Sequence, residues 1–279
     1  MKSAVITWTL IAIAALVVGP FAGWLCEPIR GSDGGLDATA LLSANPASSL
    51  IRTLLVIFIA SMYGCAAGKA RGFKVGMFCC GIIVAWAAWH SARVDSIIRA
   101  QAVPGAMWTI CAESVLLGAA AVVGGYLIVH AADRKASKLS KEPVFVQHSA
   151  MALVIGLIVG GAFAWAVARS EMVGQTFAAA VTAGVMGTLV GRVVAVRASV
   201  VASLAGVFLL AVAGPASAVI VNNGTMVADM YAGELFALAR PAPLDWIAGG
   251  FIGVAIGISW AGSMIDRHVP EEQKQAIRS

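Results

Sequence analysis

Charge is scarce in this chain: of its 279 residues only 12% are charged, whereas 60% are hydrophobic. Soluble globular domains carry roughly 25% charged residues. Half that share, together with a mean hydropathy of +0.89, excludes an ordinary soluble protein and predicts a chain that crosses a membrane many times. Apolar runs and short connections fill nearly the whole sequence, so no soluble domain of about 100 residues fits.

Catalytic and cofactor motifs are lacking as well. The sequence contains no Walker loop, no GxGxxG after a strand and no HExxH helix. No histidine lies deep in an apolar run, which disfavours haem or metal ligation inside the membrane. The cysteines form no CxxC motif and are interpreted as small packing residues; they are Cys26, Cys65, Cys79, Cys80 and Cys111. We therefore expect no metal, no cofactor and, on balance, no enzymatic activity.

Eight apolar stretches follow one another along the chain, each near the length of about 20 residues that a membrane span needs. The pattern predicts an all-α fold, a polytopic transmembrane helical bundle of about eight spans with short loops. In this prediction residues 1–279 form a single integral membrane domain, with a polar cytoplasmic tail at 266–279. The predicted spans are 4–26, 50–68, 75–91, 107–130, 149–168, 175–191, 199–221 and 245–265.

Lys and Arg near the span ends orient the predicted bundle. With the N-terminus in the cytoplasm every inner connection is basic, as the positive-inside rule requires. The inner residues are Lys2, Lys69, Arg71, Lys74, Arg134, Lys135, Lys138, Lys141, Arg192, Arg197, Arg267, Lys274 and Arg278. The outer ones are Arg30, Arg52, Arg93, Arg99, Arg169 and Arg240. Eight spans return the C-terminus to the cytoplasm, and orientation explains the net charge of +5 without a nucleic-acid partner.

Tryptophan favours the same orientation, because this residue collects at both membrane interfaces. Trp8 and Trp260 fall near the inner interface of the predicted bundle. The tryptophans near its outer interface are Trp24, Trp86, Trp89, Trp108, Trp165 and Trp246.

The first apolar run has a second interpretation as a signal peptide, since Lys2 precedes the apolar residues 4–18. The run continues through Trp24, Leu25 and Cys26, however, and this length favours a membrane anchor. We expect the anchor to be retained.

Small residues recur at helical spacing in several spans. Because lipid gives helices no hydrophobic reason to associate, stripes of small residues allow the close backbone contact that holds them together. We predict that the stripe in the last span packs against another helix. The stripe residues are Gly249, Gly253, Gly257 and Ala261 in the last span, with Gly156 and Gly160 in the fifth.

Three outer connections share a form: a short, partly apolar, helix-like segment, then a proline, then the returning span. They are 36–46, 94–104 and 227–241. Proline suits the first turn of a helix because its missing N–H costs nothing there. Duplication of a hairpin and the shared physics of membrane entry both explain the pattern. For 227–239 we predict an interfacial helix with Asp229 towards water and the following residues inward: Met226, Met230, Tyr231, Leu235 and Leu238.

Glu113 is the clearest candidate for a functional residue, because ionisable groups inside spans are costly and therefore suggest a function. Arg52, at the outer start of the second span, is its candidate partner, and His90, at the outer end of the third, could join the same binding site. The alternative is a structural role for Glu113, as an interhelical pair or as a residue wetted from the outer surface. Asp245 is interpreted as a charge at a helix start.

Three functions compete. The favoured hypothesis is a transporter or permease for a small solute or ion, with Glu113 near an outer mouth and a broken helix at Gly214-Pro215. A non-catalytic membrane scaffold or accessory subunit needs only packing stripes and short loops. An outer-leaflet enzyme would need Glu113, His90 and Asp95 to converge. The expected partners are the lipid bilayer and other membrane subunits or a second copy, in a bacterial-type plasma membrane.

Overall fold

The structure, a computed structural model, describes residues 2–32, 34–35, 38–91, 93–100, 105–133, 147–196, 198–222 and 224–268. Every regular element in these ranges is a helix. Eight helices are long and apolar enough to cross a membrane. The predicted all-α transmembrane bundle is therefore confirmed.

The helices follow the predicted spans to within about one helical turn at each end. The first span comprises α1 (Lys2–Ile13), a π-helical turn (Ala14–Val18) and α2 (Gly19–Cys26). The elements after it are α3 (Pro46–Arg71), α4 (Phe73–Trp89), α5 (Val94–Ala100), α6 (Gly105–Asp133), α7 (Gln147–Val167), α8 (Val173–Val194), α9 (Val200–Val221), α10 (Met226–Ala232), a 3-10 turn (Ala237–Ala239) and α11 (Pro243–His268). Most of the predicted polar tail, 269–279, lies outside the described residues.

The two faces of the bundle are named by its turns. We call inner the face at which α1 begins and α3 turns into α4, and outer the opposite face. The inner turn is a single residue, Gly72, whose φ of 94° is a conformation that side chains with a Cβ rarely adopt. The cytoplasmic location of the inner face stays a prediction.

Helix α11 lies at the centre of the bundle, packed mainly against α8 and α4. The first four and last four spans meet where α4 contacts α11 and where α6 contacts α9. The first span is peripheral and turns large apolar side chains outward, including Val5, Trp8 and Leu16. Its sequence suits this position, since an apolar surface of that kind is stable against lipid.

The small-residue stripes lie at close contacts between helices. At Gly253 of α11 an added Cβ would come within 2.3 Å of the Val181 carbonyl oxygen and 2.8 Å of the Gly184 Cα, both on α8. Gly249 and Gly257 meet α8 in the same way, and Ala261 is buried. Gly156 and Gly160 of α7 lie against Gly187 and Ala183 of α8. Contact this close is possible only where no side chain separates the backbones.

The connection between α9 and α11 departs from the predicted continuous helix. Helix α10 forms as expected but ends at Ala232, because Gly233 adopts a left-handed conformation with a φ of 75°. Non-helical residues and the 3-10 turn follow, so the prediction of one helix through residue 239 is wrong.

The side chains predicted to turn inward in this connection do so with one exception. Met226, Met230 and Leu235 are buried, and Leu238 is half-buried. Tyr231 is 67% exposed instead, and its ring lies under the guanidinium of an arginine on α5. Asp229 accepts hydrogen bonds from Asn222 and Thr225 at the start of the helix. These bonds hold the pKa of the Asp229 carboxyl below its usual range.

The residues after α10 dip back between the spans. Most of 235–242 is buried, and the Leu238 carbonyl oxygen would lie 2.0 Å from a Cβ added at Gly214 of α9. The glycine therefore makes room for the connection. Pro215 beside it lies inside an unbroken helix, so the hypothesis of a broken helix at Gly214-Pro215 is wrong.

Trp246 also differs from its expected place in an outer aromatic belt. Its side chain is fully buried in the first turn of α11, whereas Trp24, Trp89 and Trp108 are well exposed. The central position of α11 explains the difference: the helix contacts other spans at its outer end, so even a residue at interface depth has no contact with the membrane there.

Candidate functional site at the outer face

Buried polar side chains gather at the outer end of the bundle. We use "outer cap" for the described residues of 27–45, 90–100, 168–172 and 222–242, which connect the spans on this face. Four acidic or basic residues of the described chain are buried there or immediately below, namely Asp95, Glu113, Arg240 and Asp245, and Glu171 beside them is half-buried. Of these, the sequence pointed to Glu113 as a binding residue and to Asp95 in the enzyme hypothesis.

Glu113 is 2% exposed and faces the cap rather than lipid. Its Oε2 accepts a hydrogen bond from the Leu41 backbone N–H at 2.8 Å. The Ala40 amide and the Thr39 hydroxyl lie beside the same carboxyl. Residues 38–44 form turns rather than the helix-like segment predicted for this connection, and several are buried. Glu113 thus ties the first outer connection to α6.

The structure gives Arg52 and His90 other partners than Glu113. Arg52 donates to the Leu25 carbonyl oxygen and to Ser48 Oγ, both at 3.4 Å. His90 Nδ1 lies 2.9 Å from the Trp86 carbonyl oxygen, and its ring packs against Gly23 of α2. Within the described chain these three residues share no contact partner, so a binding site formed by all three has no geometric support, and their role in binding stays a prediction.

Replacement of Glu113 separates its structural role from a functional one. We expect Glu113→Ala to lower the free energy of unfolding by about 1–3 kcal/mol, because the buried Leu41 N–H loses its acceptor. Glu113→Gln keeps an acceptor oxygen and should cost less than about 1 kcal/mol. Thermal unfolding in detergent measures both, and Glu234→Gln, at an exposed residue of the cap, is the control. Equal losses for Ala and Gln would contradict this role.

Arg240 holds two outer connections together. The residue is 7% exposed, and its guanidinium donates to the Arg169 and Gly233 carbonyl oxygens, both at 2.7 Å, and more weakly to that of Leu235 at 3.3 Å. A guanidinium has five N–H donors in a rigid fork, which suits several carbonyls at once. From the sequence this arginine was expected only as an orienting charge, because its carbonyl partners leave no side-chain pattern.

Asp245 caps the start of α11 from inside the bundle. Its Oδ2 accepts a hydrogen bond from the Ala242 backbone N–H at 3.1 Å. Ala242 is the N-cap of α11 and Asp245 is the third residue of the helix, so this is one of the two hydrogen bonds of a capping box. The Thr176 hydroxyl lies beside the same carboxyl. The interpretation of Asp245 as a charge at a helix start thus agrees with its geometry.

A small polar pocket adjoins this residue at the outer face. Ser91, Arg93, Thr176, Arg240 and Asp245 supply its polar lining. Its volume is about 10 Å³, close to the least that holds one water molecule. The pocket lies where α4 ends and where α8 and α11 begin.

Two further carboxyl groups lie at the outer face on either side of one arginine. Asp95 on α5 and Glu171 in the connection between α7 and α8 both face Arg99, whose Nη2 is 3.8 Å from Asp95 Oδ2 and 3.9 Å from Glu171 Oε2. Burial and the neighbouring Asp95 raise the pKa of the Glu171 carboxyl, while Arg240 and Arg99 oppose the rise. Asp95 belongs to the enzyme hypothesis made from the sequence, whereas Glu171 has no predicted role.

Comparison with known proteins finds no family model, no curated protein and no solved structure that matches this chain.

Proposed function

We propose that this multi-pass membrane protein is a non-catalytic scaffold or accessory subunit of a membrane complex. One observation carries the proposal: three buried charged residues at the outer face bind the chain's own backbone. Glu113 binds the Leu41 amide, Asp245 the Ala242 amide, and Arg240 three carbonyls. Groups used in this way fix the connections over the spans and are not free to exchange partners with a moving solute.

The middle of the bundle supports the same proposal. Phe208 of α9 and Phe251 of α11, both in the second half of the bundle, meet edge to face with ring centroids 5.9 Å apart. The two rings lie against Gly118 and Gly125 of α6, in the first half. Leu117 of α6 and Leu204 of α9 are fully buried in the same core. Transporters place substrate sites near midplane, commonly between two such halves and beside interrupted helices. Apolar packing there favours a bundle that stays closed.

Transport is the second candidate, and one observation favours it. The pocket beside Asp245 and Arg240 is polar, opens at the outer face and lies where the first half of the bundle meets the second. A solute path would have to continue from it past Trp246 and Phe251, both fully buried. The inner end of the pocket is thus closed by buried side chains.

Vesicle flux measurements distinguish the two candidates. The purified protein is reconstituted into liposomes, and the passage of protons, monovalent cations and small anions is followed with entrapped dyes. We expect rates equal to those of vesicles without protein. We also expect native mass spectrometry from the membrane to give a defined stoichiometry, with a second copy or another subunit. Flux above background that Asp245→Asn abolishes, in a variant that stays folded, would contradict the scaffold proposal and favour transport.

A further inference from the structure

Asp95 has a buried carboxylate oxygen without a hydrogen-bond donor. The residue is 8% exposed, and its Oδ1 is buried with no partner in the described part of the chain. An unsatisfied polar atom of this kind costs stability unless a proton, a water or an ion reaches it. Its Oδ2 has only the distant contact with Arg99 at 3.8 Å.

A second acid lies on the same guanidinium nitrogen as Asp95. Arg99 Nη2 is 3.8 Å from Asp95 Oδ2 and 3.9 Å from Glu171 Oε2. Asp95 also acts as a neighbouring charge and hydrogen-bonding group that raises the pKa of the Glu171 carboxyl. Two ionised carboxylates repel and offer each other no donor, whereas one protonated acid donates to the other. A single proton between them satisfies both groups.

Charged neighbours favour a proton over a metal ion at this position. Arg99 lies against both acids, and the Arg240 guanidinium is near Glu171. Arg93 and Asp245 line the nearby pocket. On the α10 side, the Arg99 guanidinium lies over the Tyr231 ring, 4.9 Å from its centroid. In the described residues no third His, Cys, Asp or Glu completes a metal-binding group. Two guanidinium groups repel a divalent cation.

We propose that Asp95 and Glu171 share one proton, and that this proton latches α5 to the connection between α7 and α8. Loss of the proton to water leaves two adjacent carboxylates, which weakens the contact and loosens the outer cap. Arg99 reaches α5, the 168–172 connection and α10 at once, so its position follows the state of the pair. The latch concerns the cap alone and does not depend on the scaffold proposal.

The direction of the pH effect follows from the acid involved. The pKa of Glu171 is raised above its ordinary value of 4.5. The proton is therefore bound more tightly when α5 lies against the 168–172 connection than when the two are apart. The stabilising contribution of the shared proton is fully present below pH 4.5 and is lost as the pH rises through the raised pKa of Glu171.

Spin-label mobility and infrared spectroscopy test the latch in the full-length protein in lipid nanodiscs. A nitroxide on Ser96→Cys in α5 reports the motion of the cap; the native cysteines are buried or half-buried and provide the background. We expect mobility to increase as the pH rises above 4.5, together with the loss of one carboxylic C=O band. Glu171→Gln should remove that band and keep the label immobile at every pH. Glu234→Gln, at an exposed acid, should leave both changes intact.

A replacement of the second acid and a calcium titration test the same pair. Asp95→Asn should remove the same infrared band as Glu171→Gln, and the unlabelled parent protein tests the band if a labelled variant does not fold. Mobility independent of pH in the parent overturns the proposal, as does a band that survives both replacements. If 1:1 addition of Ca²⁺ at alkaline pH immobilises the label and EGTA reverses it, the pair is a cation site and the shared proton is refuted.

Discussion

Gly253→Ala is expected to destabilise the folded bundle by about 1–3 kcal/mol, the usual cost of overfilling a close-packed contact. The reason is that the new Cβ would stand 2.3 Å from the Val181 carbonyl oxygen, and backbone on both sides leaves no flexible side chain to move away. Gly253→Leu adds a branched side chain at the same point and should abolish the folded state.

Gly262→Ala on the same helix is the matched control, because an added Cβ there meets no atom within 4 Å. It should be neutral or slightly stabilising, since alanine favours helices over glycine by up to about 1 kcal/mol. Thermal unfolding in one detergent compares the two variants. If Gly253→Ala and Gly262→Ala unfold at the same temperature, close packing between α8 and α11 does not stabilise the bundle.

Arg240→Met should be the most damaging replacement in the outer cap. It keeps an apolar side chain of similar length but leaves carbonyl groups in two connections without a donor. Each carbonyl that water does not reach costs about 1–3 kcal/mol of stability. We expect a total loss of about 2–4 kcal/mol in the free energy of unfolding. Arg240→Lys should recover only part of this loss, because an ammonium group lacks the planar fork that binds several carbonyls.

Arg169→Gln is the control for Arg240→Met. The Arg169 carbonyl still accepts from Arg240. The replacement removes the contact of the Arg169 guanidinium with the Trp165 ring, at 4.3 Å, and the weak bond from its Nε to the Ala166 carbonyl oxygen, at 3.4 Å. Contacts of a guanidinium with a ring contribute about 0.5–1 kcal/mol at exposed sites. Chemical denaturation of the reconstituted protein measures both variants. A loss for Arg169→Gln as large as that for Arg240→Met would mean that charge near the interface, and not the carbonyl network, stabilises the cap.

The spans were predictable from sequence because the membrane imposes one length and one polarity on each of them. The stripe on α11 was predictable for a related reason: glycines at a spacing of four share one helix face, whatever helix they meet. What the stripe meets could not be predicted, because Val181 and Gly184 of α8 contribute mostly backbone to the contact.

The outer cap was far less predictable, since its contacts join side chains to backbone. A carboxylate in a span invites a search for a basic partner, and Arg52 was the candidate because it lies at the outer start of the second span. The partner found is the Leu41 N–H, a group that every residue except proline carries. Arg240 was placed among orienting charges because a connection normally runs over the surface. It is buried because residues 235–242 descend between the spans.

The most direct measurement of the closed interior is the reaction of cysteines placed at midplane with a water-soluble thiol reagent. Ala121→Cys in α6 and Ala211→Cys in α9 each add one atom at a buried core position. In liposomes we expect both to react no faster than the parent protein, whereas Glu234→Cys in the exposed part of the cap reacts readily. Reaction at Ala211→Cys at a rate close to that of Glu234→Cys would reveal a water path to the centre and contradict a closed scaffold.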